Sequence, residues 1–219
     1  MTKTLQLAGI GDTVIDVHQG DLPAGIDFGS AVAVDTETTG LRPHRDRLCL
    51  VQLSAGDGAC HLVRFSRDDL ANADGASHLK ALLADPDVTK LFHFGRFDIG
   101  MLYRHLGVLC ANVYCSKIAS KLVRTYTDRH GLKDLCRELL GVEISKEQQT
   151  SDWGSGALTP EQLRYAAGDV LYLHRLRERL DAMLRREDRL ALAEACFRFL
   201  PHRALLDVGG WPEEDIFAY

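Results

Sequence analysis

The sequence predicts an α/β domain. Short β-branched apolar runs between glycine-rich turns fill the first half of the chain, and helically spaced apolar positions dominate the second. At 219 residues and 46% hydrophobic content, the chain is long enough to bury a full core.

The first predicted strand is Ala31 to Val34 running into Asp35, a short β-branched run bounded by Gly29-Ser30 and Gly40. Leu48 to Ser54 and Ala59 to Phe65 predict two more, joined by the turn Gly56-Asp57-Gly58. Asp68 to Leu83 has helical spacing and is stopped by Asp85-Pro86-Asp87. A strand at Thr89 to Phe94 and a helix at Phe97 to Leu106 follow, with Gly107 as C-cap. Further helices are predicted at Ser116 to Arg124, at Leu132 to Leu140 ending at Gly141, and from Pro160 to about Arg186. The last begins at a capping box: Thr159 is the N-cap, Pro160 takes the first helical position, and Gln162 lies three residues after the cap. Its arginines, Arg175 to Arg189, alternate with acids and predict an exposed, salt-bridged face. The tail Pro201 to Tyr219 carries Trp211, Ile216 and Phe217 and is expected to pack on its own domain or on a neighbouring subunit. Residues 1–219 read as one domain with a core of about 28–190.

No apolar run approaches the ~18 residues needed to cross a bilayer, and Met1 to Asp12 lacks a signal pattern, so a soluble cytoplasmic protein without a membrane partner is expected. Six cysteines are irregularly spaced, contain no CxxC pair and read as reduced core residues. A net charge of −5 disfavours a protein gripping long nucleic acid through many phosphates.

Asp35 and Glu37 are two apart at a strand end, so they leave one face about 7 Å apart along the backbone. Asp98 sits on the first turn of a predicted helix, where an acid is also an ordinary dipole partner. Tyr165 and Asp169 stand four apart on one helix, with Cβ atoms about 5 to 6 Å apart. Each feature alone is common.

Together they resemble the DEDD exonucleases, in the tyrosine-bearing branch that includes ribonuclease D. The first motif is Val34-Asp-Thr-Glu-Thr-Thr-Gly-Leu41, the second His93-Phe-Gly-Arg-Phe-Asp98, the third Tyr165-Ala-Ala-Gly-Asp169. Gly131-Leu-Lys-Asp-Leu135, Leu140-Gly141, Lys146 and Ser151-Asp-Trp153 also match, in order, within about residues 28–190. The resemblance implies a ribonuclease-H-like (DnaQ-like) exonuclease fold, with a mixed five-stranded sheet flanked by helices, and 3′-to-5′ exonuclease activity. Asp35, Glu37, Asp98 and Asp169 would hold two divalent cations, Mg²⁺ or Mn²⁺, and Tyr165 would orient the attacking water first and help deprotonate it second. Such ions about 3.5 to 4 Å apart stabilise both the attacking and the leaving oxygen.

Leu41 matches a position that presses on the terminal base, although a loop leucine dipping into the core is as good a reading. Thr36, His93 and Trp153 are further candidates for substrate contact. Arg42, His44, Arg45 and Arg47 form either a positive lip or a solvated loop.

Ribonuclease D carries accessory helical domains after its nuclease core, whereas only about thirty residues follow the last predicted long helix here. That format, and the ending Trp211-Pro-Glu-Glu-Asp-Ile-Phe-Ala-Tyr219, look most like the nano-RNase C sub-family. Its members degrade very short oligoribonucleotides, dinucleotides included, and form a ring-shaped octamer, which implies RNA oligonucleotides and a homo-oligomer as partners. The same motifs serve DNA exonucleases, so sugar preference and substrate length stay open. An inactive nucleic-acid-binding module of the same fold is the alternative of another class, and the presence of all four acids and the tyrosine argues against it.

Overall fold

Seven strands form one mixed sheet in a computed structural model of the chain, which describes residues 1–145 and 147–218. Lys146, matched above, and the terminal Tyr219 lie outside the described residues. The strands are β1 (Thr2–Leu7), β2 (Gly11–Gln19), β3 (Ala31–Thr38), β4 (Leu48–Ser54), β5 (Ala59–Arg64), β6 (Thr89–Phe92) and β7 (Val113–Cys115). Their order is β1-β2-β5-β4-β3-β6-β7. β3 lies between antiparallel β4 and parallel β6.

The expected five strands are therefore present as β5-β4-β3-β6-β7, and the sheet is wider than expected because the β1–β2 hairpin extends it, with β2 parallel to β5. The hairpin's alternation Thr-Lys-Thr-Leu-Gln-Leu was available as a half-exposed edge-strand signal. β7 has three residues, too few for any period to register.

The helices are α1 (Arg67–Ala71), α2 (Ser77–Ala84), α3 (Arg96–Leu106), α4 (Ser116–Val123), α5 (Leu132–Leu135), α6 (Pro160–Leu171), α7 (Leu173–Arg186) and α8 (Leu190–Gly209). A π turn, Cys136–Leu140, continues α5 and ends at left-handed Gly141. The helix expected at 68–83 is two helices, and the one from Pro160 is broken at Tyr172, whose hydroxyl donates to Ala8 O at 2.6 Å and ties α6 to the β1–β2 turn. The capping box at Thr159 forms as expected.

The largest departure is α8, which runs straight through Pro201. A proline mid-helix loses one backbone hydrogen bond. Here Phe197, Leu200, Pro201 and Ala204 are all buried, so packing against α3 and β7 outweighs that loss. The tail accordingly begins at Gly210, and Arg203, paired with Asp207 at 2.7 Å, donates to Trp211 O at 2.5 Å and anchors its first turn. Every residue of β4 is buried, with α6 packed on β3, β4 and β5 and α3 on β3 and β4. Among the described residues, no helix is long and apolar enough to cross a membrane.

Candidate active site

The sheet centre supplies the first two acids. Asp35 and Glu37 project from the end of β3, and a register shift between Glu37 and Thr38 ends its regular pairing with β4. Asp35 lies opposite Gln52 of β4, and Gln52 Nε2 donates to Asp35 Oδ2 at 3.2 Å. On the alternate side of the strand, Thr36 donates from Oγ1 to Asp98 Oδ1 at 2.6 Å, with both residues buried.

Asp98 is delivered by the tight turn from β6 into α3. A Cβ on Gly95 would lie 2.5 Å from Phe92 Cβ, so the turn closes only around glycine. Tyr165 and Asp169 stand one turn apart on α6.

Asp35, Glu37 and Asp169 offer carboxylate oxygens that all lie within 4.8 Å of one another. Asp98 stands outside that group, held by Thr36, but lines the same cleft of about 530 Å³ together with Tyr165. Leu41 and His93 line it too. Leu41 is 82% exposed, which rules out the reading that it dips into the core. His93 Nδ1 shares a hydrogen bond with Ser116 Oγ at 2.9 Å.

Trp153, expected to touch substrate, is instead buried behind Tyr165, with ring centroids 6.0 Å apart. Thr36 lines the cleft with its hydroxyl already given to Asp98. None of Arg42, His44, Arg45 or Arg47 lines the cleft. Arg45 is paired with Asp46 at 2.7 Å, and Arg47 donates to the Phe65 and Gly154 carbonyls at 3.1 and 3.3 Å, strapping the Trp153 loop to the sheet. Among the described residues, the lysines that line the cleft are Lys117 of α4 and Lys133 of α5.

Crowded carboxylates hold their protons. Asp35 is pushed well above the usual carboxylate range by burial and then by Asp98, Asp169 and Glu37. Glu37 rises to about 9, through burial and then Asp169 and Asp98. Asp98 rises to about 6, its burial partly offset by the Thr36 hydrogen bond. Burial, Asp169, Glu37 and Asp35 push the Tyr165 phenol far above its ordinary value. Such an all-oxygen, mutually repelling set fits a hard divalent cation, whose charge compensates the repulsion.

Residues 23–185 match the 3′-5′ exonuclease family. The chain belongs to that family. Its ribonuclease-H-like architecture and its relatives place it in the ribonuclease D group, near the structurally characterised nuclease NrnC. The structure described as Brucella melitensis NrnC bound to pGG is 53% identical, with TM-score 0.88, covering 94% of this chain and 98% of that one. The same nuclease with bound Mg²⁺ is 52% identical at TM-score 0.87, with the same coverage of both chains. Ribonuclease D of Gluconacetobacter diazotrophicus is 35% identical over 186 residues, covering 84% of this chain and 46% of that protein. The chain thus spans less than half the length of the curated ribonuclease D relatives it matches first. β1, β2 and α8 fall outside the family match, and β1 and β2 are the strands that widen the sheet.

Sequence reasoning missed Gln52, Lys117 and Lys133 as site residues. Gln52 had no local signal, because only strand register sets it beside Asp35. Lys133 lay inside the matched Gly131-to-Leu135 segment, which was the available hint.

Proposed function

We propose that this chain is a metal-dependent 3′-to-5′ exoribonuclease that releases nucleoside 5′-monophosphates from very short oligoribonucleotides, including dinucleotides. The observation that carries this is the convergence of Asp35, Glu37 and Asp169 within 4.8 Å, in one cleft with Asp98 and Tyr165. Asp35, Glu37, Asp98 and Asp169 would hold two divalent cations, Mg²⁺ or Mn²⁺. When bound, such ions acidify water and stabilise charge on the attacking and leaving oxygens.

The chain's own residues prepare that site. Gln52 and Thr36 fix the carboxylates of Asp35 and Asp98, so little reorganisation is left for the reaction. Tyr165, its phenol raised by burial and by the neighbouring acids, positions the attacking water by hydrogen bonding first and takes part in proton transfer second. Trp153 backs its ring and limits its motion. Leu41 and His93 would press on the terminal nucleotide.

A cleft of about 530 Å³ falls in the range of small-ligand sites, roughly 300 to 1,000 Å³, which favours a short substrate over a long strand. The pGG-bound Brucella neighbour, matched over nearly its whole length, supports the same reading. We further take residues 1–219 as one domain. The exposed tail residues Trp211, Ile216 and Phe217 would then sit against a neighbouring copy in a homo-oligomer, an octamer by likeness to the sub-family. Six cysteines without a disulfide suit a cytoplasmic setting.

The test is hydrolysis of 5′-labelled RNA and matched DNA, from dinucleotides to long strands, with Mg²⁺, with chelator, and with Asp98→Ala. Mg²⁺-dependent cleavage confined to two to four ribonucleotides is expected. Equal trimming of long RNA or of DNA would move the function to general exonuclease, and absence of metal-dependent cleavage would overturn the catalytic reading.

A further inference from the structure

Two charges in this fold stand at the unfavourable ends of their own helices. Arg96 takes the first position of α3, after the cap Gly95, where the helix dipole disfavours a cation. Asp207 lies in the last turn of α8, where the dipole disfavours an anion. Each is well placed for the other's helix, and together they form a bidentate pair: Arg96 Nε donates to Asp207 Oδ2, and Arg96 Nη2 to Asp207 Oδ1 at 2.6 Å. Arg203, one turn earlier on α8, donates to the same carboxylate at 2.7 Å and to the Trp211 and Pro212 carbonyls at 2.5 and 3.1 Å. Arg96 Nη2 donates to Pro212 O as well. Next to this pair the two helices are in close contact, because a Cβ on Gly100 of α3 would meet Val208 Cγ2 at 3.4 Å and Ala204 O at 3.8 Å.

We infer that the Arg96–Asp207 pair, braced by Arg203, is a latch through which α8 and the tail fix the place of Asp98, which makes Arg96 a positioning residue of the cation site. The inference rests on the exonuclease reading above and adds to it two elements that lie outside the family match at residues 23–185. Arg96 precedes Asp98 by two residues on the same helical turn, and it is not among the described residues that line the cleft. It therefore acts through the backbone and not on substrate. Asp98 stands outside the group formed by Asp35, Glu37 and Asp169, so the seat of the first turn of α3 decides how far its carboxylate lies from theirs. Thr36 holds that carboxylate from the sheet, and the latch holds its helix from α8. An isolated surface ion pair restrains little, but this one is bidentate, partly buried and shared with a second arginine and the tail backbone.

The experiment titrates Mn²⁺ into wild type, Asp207→Asn, Arg96→Met, the double variant and Arg96→Lys. Calorimetry without substrate reads binding of the ion, hydrolysis of a ribodinucleotide reads activity, and thermal melting monitors folding. Asp207→Asn and Arg96→Met are each expected to weaken Mn²⁺ binding roughly tenfold and to raise the Mn²⁺ concentration at half-maximal activity by the same factor, with KM for the dinucleotide at saturating Mn²⁺ little changed. The double variant should go no further than either single one, because all three break the same contact. Arg96→Lys keeps the charge and loses the fork, so it should fall between wild type and Arg96→Met, and it carries the comparison should Asp207→Asn not fold. Folded variants that melt lower but bind Mn²⁺ as wild type does would make the pair a structural ion pair only and overturn the latch. Additive effects in the double variant would overturn it too. Wild type that binds Mn²⁺ but hydrolyses nothing would remove the exonuclease reading instead, with the latch still read from binding.

Discussion

Replacing Thr36 by Val deletes one hydroxyl from the site and keeps the side chain's shape, so its consequence can be worked out from a single hydrogen bond. Thr36 Oγ1 donates to Asp98 Oδ1 at 2.6 Å in a buried setting, and this bond is what holds Asp98 down against burial, at about 6. A hydrogen bond to a charged group contributes about 1.5 to 3 kcal/mol, and each pKa unit corresponds to about 1.4 kcal/mol. Its loss should therefore raise Asp98 by about one to two units, to roughly 7 to 8. At pH 7 the ionised fraction of Asp98 would fall from about nine-tenths to between about one-half and one-tenth. With Mg²⁺ held subsaturating, kcat/KM of Thr36→Val on a ribodinucleotide at pH 7 should be lower by about two- to tenfold. It should approach wild type by pH 9, because the variant's carboxyl then ionises too. The assay is a pH–rate profile from pH 5.5 to 9.5, with Thr36→Ser expected to track wild type. A folded Thr36→Val whose acidic limb coincides with wild type would refute the idea that this hydroxyl sets the protonation of Asp98.

Two further outcomes follow from the same cluster. Asp35, Glu37 and Asp98 bind protons more tightly folded than unfolded, so the stability they contribute is complete below the unfolded carboxylate range and is lost as pH rises towards about 9. Without cations the melting temperature should fall from pH 5 to pH 9; Mg²⁺ should restore more of it at high pH than at low, and an equal shift in Asp35→Ala, Asp169→Ala would refute the assigned cation site. Tyr165→Phe should lower kcat roughly a hundredfold with KM little changed, since the phenol positions the attacking water; an unchanged kcat would remove that role, and a lost alkaline limb would make it a base.

Each feature of the fold that was legible in the sequence has a local cause. The short β-branched run from Ala31 to Asp35 and the Thr159-to-Gln162 capping box are written within a few residues of the element they specify, and both appear where expected. The four candidate acids and Tyr165 were singled out by the ordered motifs of the family resemblance, their spacings alone placing only pairs on one strand face and one helix face, and the structure brings all five to one cleft. What the tertiary structure decided is non-local. Pro201 continues α8 because buried neighbours on α3 and β7 compensate for the lost hydrogen bond. Tyr172 breaks the long helix where its hydroxyl meets the β1–β2 turn. Gln52 reaches Asp35 only through the β3–β4 register, and Trp153 packs its ring on Tyr165 in a loop held by Arg47 and by Arg64 of β5. Period and capping act over one or two turns of chain, whereas partnership across a sheet is set by which strands become neighbours, and no stretch of local sequence contains that choice.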